Sequence, residues 1–215
     1  FKKIIMKKLF DDISLEASKI VTKSYSTSFS LGILFLDKNI RRHIYSIYGF
    51  VRLADEIVDS FENYNQEYLL GQFEYDLHNA FQNKISLNPI LNSFQNTYNQ
   101  FNIGKELTDK FMASMAMDLD KKEYNKSSYE EYILGSAEVV GLMCLKVFLN
   151  GDNEKYEELK PYAMRLGAAF QKINFLRDLK ADYEDLGRSY FPNLDIVNFD
   201  ANQKTIIEDE IEEDF

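Results

Sequence analysis

QKINFLRDLKADYEDLGRSYFP, residues 171–192, is the stretch on which the reading of this chain turns. Asn174, Asp178 and Asp182 stand four apart twice over, with Gln171 three residues upstream. Side chains at i, i+3 and i+4 of a helix share one face, about 5–6 Å apart at Cβ. Gln171, Asn174, Asp178 and Asp182 therefore form a single row of oxygen ligands. Leu166, Phe170 and Ile173 supply an adjoining apolar row, and Arg177 and Lys180 are interleaved with the acids before Arg188 follows in GRSYFP. Far upstream, RLADEIVD at 52–59 repeats the logic. Tyr48, Arg52, Asp55 and Asp59 fall at i, i+4, i+7 and i+11, and Ile47, Val51, Ala54 and Val58 form an apolar stripe about 100° away. A charged stripe beside an apolar stripe places the charges at the edge of a core, unlike a plain solvated face opposite it. Glu56 lies off the main stripe, in a supporting position.

Rows of like charge destabilise a helix unless something positive sits among them. Mg²⁺ suits such a site, because it takes hard oxygen ligands and usually arrives with substrate phosphates. The arginine content adds to this, since Arg clamps phosphate oxygens in a bidentate way. Paired acids four apart are common on solvated faces, so the first row alone carries little. Asn-x3-Asp-x3-Asp with Gln upstream and GR-x-Y downstream is a rarer conjunction.

Composition narrows the class. The chain has 215 residues, enough for one domain, read here as 1–215, with a sizeable core. Net charge is −10 and pI about 4.8, which argues against nucleic acid as a partner. The single Cys144 excludes an internal disulfide and a multi-cysteine zinc site, and its apolar setting in GLMCLKVF suggests an inert thiol. His43 and His78 lie in no H-E-x-x-H or E-x-x-H pattern, so both read as structural or surface residues. No GxGxxG, Walker A or GxSxG occurs. No secretory signal stands out, and the most apolar run, VVGLMCLKVFL at 139–149, is far shorter than a membrane span. FKKIIMKKLF at the start is basic and apolar, suited to weak contact with an anionic membrane or to an appended sequence before Met6. The expected location is cytoplasmic, with room for peripheral membrane contact.

Periodicity predicts helices over 11–24, 38–60, 65–83, 87–101, 104–118, 128–149, 154–185 and 200–215, and no strand competes. SYSTSFSLG at 24–32 reads as a loop or broken helix. Asn88-Pro89, Gly104, Gly151-Asp152 and Gly187 mark turns. The Tyr-rich stretches near 64–75 and 124–132 read as core contacts, and KKEYNKSS at 121–128 as a solvated turn.

The two acidic motifs resemble those of the squalene/phytoene synthase family, the head-to-head branch of the all-α isoprenoid synthases. RLADEIVD is similar to its first motif, R-x-x-D-[DE]-x-x-D, in the DE form common among phytoene synthases. Residues 171–192 are similar to its second, Q-x-x-N-[IF]-x-R-D-x-x-x-D followed by GR-x-Y-x-P. STSFS at 26–30 resembles the serine-rich element that contacts a diphosphate, and Tyr132 with GSAEVVG at 135–141 resembles Y-x-x-G-x-A-x-x-VG. The resemblance spans about residues 14–195. It implies a helical bundle around a central cavity, with further C-terminal helices that this chain lacks.

By that resemblance, Asp55 and Asp59 would bind Mg²⁺ at one diphosphate, and Asn174, Asp178 and Asp182 at the other. Two or three ions are implied, with Mn²⁺ an alternative. Arg52, Arg177 and Tyr48 would contact phosphate or orient the leaving group, with Arg188 also at the substrate. Ser26, Ser28 and Phe29 would line the first allylic site; Tyr132, Ala137, Val140, Gly141 and Gln171 would line the cavity. Gly135, Ser136, Gly167, Ala168 and Ala169 would either leave room for prenyl tails or permit close helix packing. Two C20 or C15 allylic diphosphates would pass through a cyclopropylcarbinyl diphosphate. Proton loss then yields phytoene, and hydride from NADPH yields squalene. The leading expectation is phytoene formation from two geranylgeranyl diphosphates. The alternatives are a squalene or dehydrosqualene synthase using farnesyl diphosphate, and a non-catalytic synthase-like partner subunit. The sequence leaves the oligomeric state open.

Overall fold

A computed structural model describes residues 2–120, 123–185, 187–192, 194, 196 and 198–215. Among these the regular structure is helical throughout, and β pairing is limited to an isolated bridge between Glu123 and Ser189. The helices are α1 (Lys2–Tyr25), α2 (Thr27–Leu34), α3 (Lys38–Ser60), α4 (Gln66–Asn83), α5 (Pro89–Phe101), α6 (Lys105–Asp120), α7 (Lys126–Ile133), α8 (Val139–Leu149), α9 (Asn153–Asp185) and α10 (Ala201–Asp214). A π-helical segment, Leu134–Glu138, joins α7 to α8.

Local chemistry sets the boundaries. Asp37, Asn65 and Asn88 each cap a helix by accepting from a backbone N–H, and Pro89 begins α5 where its missing donor costs nothing. Asn125 with Ser128, and Asp200 with Gln203, close reciprocal capping boxes at α7 and α10. Left-handed residues end the elements: Lys84, Asn102, Asn150, and the glycines 104, 151 and 187. Pro161 lies inside α9 without ending it.

One expectation is narrowed and one changes. The segment 24–32 is the broken helix of its two expected forms: a break at Ser26 separates two helices. The Ser26 hydroxyl accepts from Phe29 N–H at 3.3 Å and starts α2, and Ser30 Oγ donates back to the Ser26 carbonyl at 2.5 Å. Serines that favour coil in isolation here supply the cap. The first helix begins earlier than expected, at Lys2, where Lys7 pairs with Asp11 and Lys8 with Asp12, each four residues on.

The residues group into two compact units, Phe1–Gly104 with Lys146–Asp152, and Lys105–Leu145 with Asn153–Phe215. In the first, α1, α3 and α5 pack together. Phe50 of α3 stacks on Phe94 of α5 at 4.1 Å, both fully buried. α1 turns Ser14, Ser18 and Thr22 inward, small enough for Gly49 of α3 to sit against Ser18. Polar pairs cross the same interfaces: Ser46 with Ser93, Asn92 with Ser14, and His43 with Thr97. In the second unit α9 packs on the π segment and α10, around a core that includes Tyr129, Ile133, Phe175, Leu179 and Phe191. Lys172, nearly buried, ties α9 to α10 through Glu210 at 2.6 Å and Asp214 at 2.8 Å.

The tyrosines divide. Tyr124, Tyr129 and Tyr132 are core residues as expected, whereas Tyr64, Tyr68 and Tyr75 are exposed. Tyr64 precedes α4, and Tyr68 and Tyr75 lie off the face of that helix that buries Leu70, Phe73 and Leu77. Of the 121–128 turn, Lys121 and Lys122 lie outside the described residues. By length and composition alone, Lys126–Leu149 could cross a membrane, and 44% of its most apolar window is buried within the protein. The 139–149 run is α8 alone, and α7 with the π segment makes up the rest of that length.

Candidate active site

In the first unit α3 carries one acidic row. Ile47, Ala54 and Val58 are buried, and Tyr48, Arg52, Asp55 and Asp59 are half-buried beside them, so the row lies at the edge of the core. Arg52 is the hub. Its guanidinium pairs with Asp55 and with Glu56 at 2.7 Å, and it lies 4.6 Å over the ring of Tyr25. Burial works against the Arg52 charge, but Asp55, Glu56, Tyr48 and Asp59 together hold it above its ordinary range. Glu56, read as supporting, has the least exposed carboxylate of the pairings, at 12%. The ring of Phe29 stacks on Tyr48 at 4.3 Å, which brings α2 against this row, and Ser28 is exposed on the same helix.

In the second unit α9 carries the other row. Gln171, Asn174, Asp178 and Asp182 are all half-buried, on one face, as the spacing requires. Phe175 and Leu179 form the buried flank. Leu166, Phe170 and Ile173, the apolar row expected to adjoin the acids, are 44%, 55% and 39% exposed and form the other flank. Arg177 holds Asp178 through two bonds of 2.8 and 2.5 Å on the exposed side.

Arg188 does not join that row. It is 7% exposed and turned inward, with its guanidinium donating to the Asp118 carbonyl at 3.1 Å and contacting the Tyr190 hydroxyl at 3.4 Å. Tyr132 is buried in the same place, donating to Asp118 Oδ2 at 2.6 Å. Asp118 was missed in the sequence, where it is one acid among several near the end of α6; only its burial sets it apart.

For three of the small residues the choice between tail space and packing falls to packing. A Cβ on Gly141 would lie 2.8 Å from the Ala163 carbonyl oxygen, and one on Gly167 the same distance from that of Ala137. Gly135 meets Ser114 and the Lys110 carbonyl at 2.6–2.7 Å. Ala137 and Ala168 are also buried, and Val140 is half-buried. π segments recur at functional positions, and this one carries the GSAE of the expected cavity helix.

The remaining titratable groups are structural. His43 is buried, and burial and then Arg42 pull its imidazole down to about 4. Burial pushes the Cys144 thiol up to about 12, which leaves it a poor nucleophile. Among the described residues no three acidic, histidine or cysteine side chains close on one point. The candidate ligands are instead two open rows of oxygens within packed units. That donor set suits a hard divalent cation that completes its shell with phosphate and water.

Comparison with known proteins bears on these rows. The sequence profile of the family described as squalene/phytoene synthase matches residues 22–215, which include both. A 4,4'-diapophytoene synthase from Staphylococcus haemolyticus is 25% identical over 90% of this chain and 66% of its own length. A phytoene synthase from Arthrospira platensis is 28% identical over 93% of this chain and 68% of its own. A crystal structure of a dehydrosqualene synthase in complex with ligand superposes with a TM-score of 0.79 at 24% identity, over 94% of this chain and 73% of that one. The chain thus spans about two thirds of the length of the first two relatives, and less than half of some plant phytoene synthases.

Proposed function

The chain belongs to the squalene/phytoene synthase family, and from that premise we propose that it is a Mg²⁺-dependent prenyltransferase joining two geranylgeranyl diphosphates head to head to give phytoene. The observation that carries the reading is the build of the two rows. Each sets oxygen ligands four apart on the rim of a packed core, with an arginine already among them. Asp55 and Asp59 would hold Mg²⁺ at one diphosphate, and Asn174, Asp178 and Asp182 at the other. The cation supplies charge neutralisation of the departing diphosphate. Arg52 and Arg177, paired with acids in the same rows, exchange carboxylate oxygens for phosphate oxygens of the same geometry. Phe29 and Tyr48 on one row, and Leu166, Phe170 and Ile173 on the other, give apolar surface for prenyl chains beside the ligands. Dry surface of this kind protects allylic cations from water. The reaction is placed in the cytoplasm, with the apolar product leaving towards a membrane.

A farnesyl-using reading draws specific support from the similarity to a diapophytoene synthase. The test is to incubate the protein with Mg²⁺ and each diphosphate, C15 or C20, with and without NADPH, and to identify the products by mass. A C40 hydrocarbon from the C20 substrate without NADPH is expected. A C30 hydrocarbon from the C15 substrate alone would reassign the substrate. No diphosphate release from either would end the enzymatic reading.

A further inference from the structure

We propose that Asp118 is a positioning residue for the second acidic row, acting through Tyr190 and Arg188 on the part of α9 that carries Asn174, Asp178 and Asp182. The inference rests on reading that row as a cation–diphosphate ligand set.

Asp118 sits on the last turn of α6, 6% exposed. A buried carboxylate is tolerated only when its lone pairs are filled. Here three phenols converge on it. Tyr132 donates to Oδ2 at 2.6 Å, and Tyr124 and Tyr190 donate to Oδ1 at 3.0 and 3.3 Å. Burial, and then Asp118 and Tyr190, keep the Tyr124 phenol protonated far above its ordinary range, so it remains a donor. The Asp118 backbone carbonyl accepts from Arg188. Side chain and main chain of one residue thus hold both Arg188 and Tyr190.

The segment they belong to grips α9 at two points. The Arg188 N–H donates to the Asp182 carbonyl at 2.9 Å. The Tyr190 ring stacks on Phe175 at 4.1 Å with 8° between planes, and Phe175 directly follows Asn174. The grips therefore bracket the ligand row, one at each end. Gly187, at φ +62°, makes the reversal that lets the chain double back, and the Glu123–Ser189 bridge secures the returning strand of chain. The last carbonyls of a helix have no partner within it, so a bond to the Asp182 carbonyl suppresses fraying at a ligand. Groups that orient metal ligands from behind typically cost 10–100-fold in affinity when removed.

The test measures Mg²⁺ binding by calorimetry in the presence of inorganic pyrophosphate, without turnover, alongside amide hydrogen exchange. Asp118→Asn should weaken Mg²⁺ by roughly 10–100-fold and speed exchange at the Arg188 amide while leaving α3 unchanged. Tyr190→Phe, which keeps the stack on Phe175 and loses one hydroxyl, should weaken it by a smaller factor in the same direction. Leu142→Ala removes buried side-chain volume from the same unit, outside the cluster around Tyr190, and serves as the control for general destabilisation; it should leave the Mg²⁺ constant within twofold. An Asp118→Asn constant within twofold of wild type, or an equal loss in Leu142→Ala, overturns the proposal. If Asp118→Asn fails to fold, unchanged Mg²⁺ binding and Arg188 exchange in Tyr190→Phe overturn it. Absence of pyrophosphate-dependent Mg²⁺ binding in the wild type overturns the reading of the row, and the proposal with it.

Discussion

On α3, Arg52 has 25% of its side chain exposed and grips Asp55 and Glu56 beneath the Tyr25 ring; on α9, Arg177 is 62% exposed and pairs with its own neighbour, Asp178. The spacing of acids is the same in both rows, and the electrostatic solution is not. The first row is partly offset from within by an arginine that packing holds still. The second leaves its arginine at the surface and takes its rigidity from behind, through Tyr190 and Arg188. Equal periodicity fixes which side chains share a face, but neighbouring elements decide whether a charge on that face is held or loose.

The hardest blow to this comparison would come from the ligands themselves. Asp59→Asn and Asp178→Asn should each lower turnover by roughly 10²–10³-fold, with helical circular dichroism and melting temperature unchanged; product formation at wild-type rate in either would remove that row from the chemistry. A second test separates the units by pH. Thr97 and Arg42 engage the two nitrogens of buried His43 at 3.0 Å each, and the arginine N–H leaves no room for a second ring proton. The folded imidazole therefore takes up a proton less readily than the unfolded one. Stability is complete above about pH 6.5 and drains as pH falls to about 4, by about 3 kcal/mol. Urea melts across that window should show the loss, and His43→Asn should flatten it. The smallest effect distinguishes the arginines directly. Arg52→Ala should cost about 1–3 kcal/mol, because it strands two partly buried carboxylates, whereas Arg177→Ala should cost about 0–1 kcal/mol. Equal losses in denaturant melts would mean that burial does not separate the two rows.

Much of this was legible beforehand. The helices of 38–60 and 154–185 appear within a residue of the expected bounds, the first because its apolar repeat and Asp37 cap are local signals. Both acidic rows lie on single faces for the same reason. What escaped was set by tertiary neighbours. Ser26 reads equally as loop or as a break between helices until its hydroxyl is seen capping α2. Tyr64, Tyr68 and Tyr75 look like core by composition, yet Tyr64 falls in the turn before α4 and Tyr68 and Tyr75 lie off its buried face, so all three are exposed. Arg188 reads as a phosphate ligand by its motif, and turns inward because Asp118, seventy residues earlier, waits there. Gly135, Gly141 and Gly167 needed the facing carbonyls and side chains before their small size had a cause.

The π segment at Leu134–Glu138 carries a consequence for how this region can change over time. A widened turn accommodates one residue more than the α-helical ladder would, so deleting one residue there would restore an ordinary turn and keep the flanking faces in register, whereas deleting one from α7 would swing everything downstream by about 100°. Gly141 would leave the Ala163 carbonyl, a bulkier side chain would arrive in its place, and Ala137 would lose its fit to Gly167. A one-residue change of length is therefore absorbed in this stretch, while a side chain at Gly135 within it is barred by Ser114 and the Lys110 carbonyl.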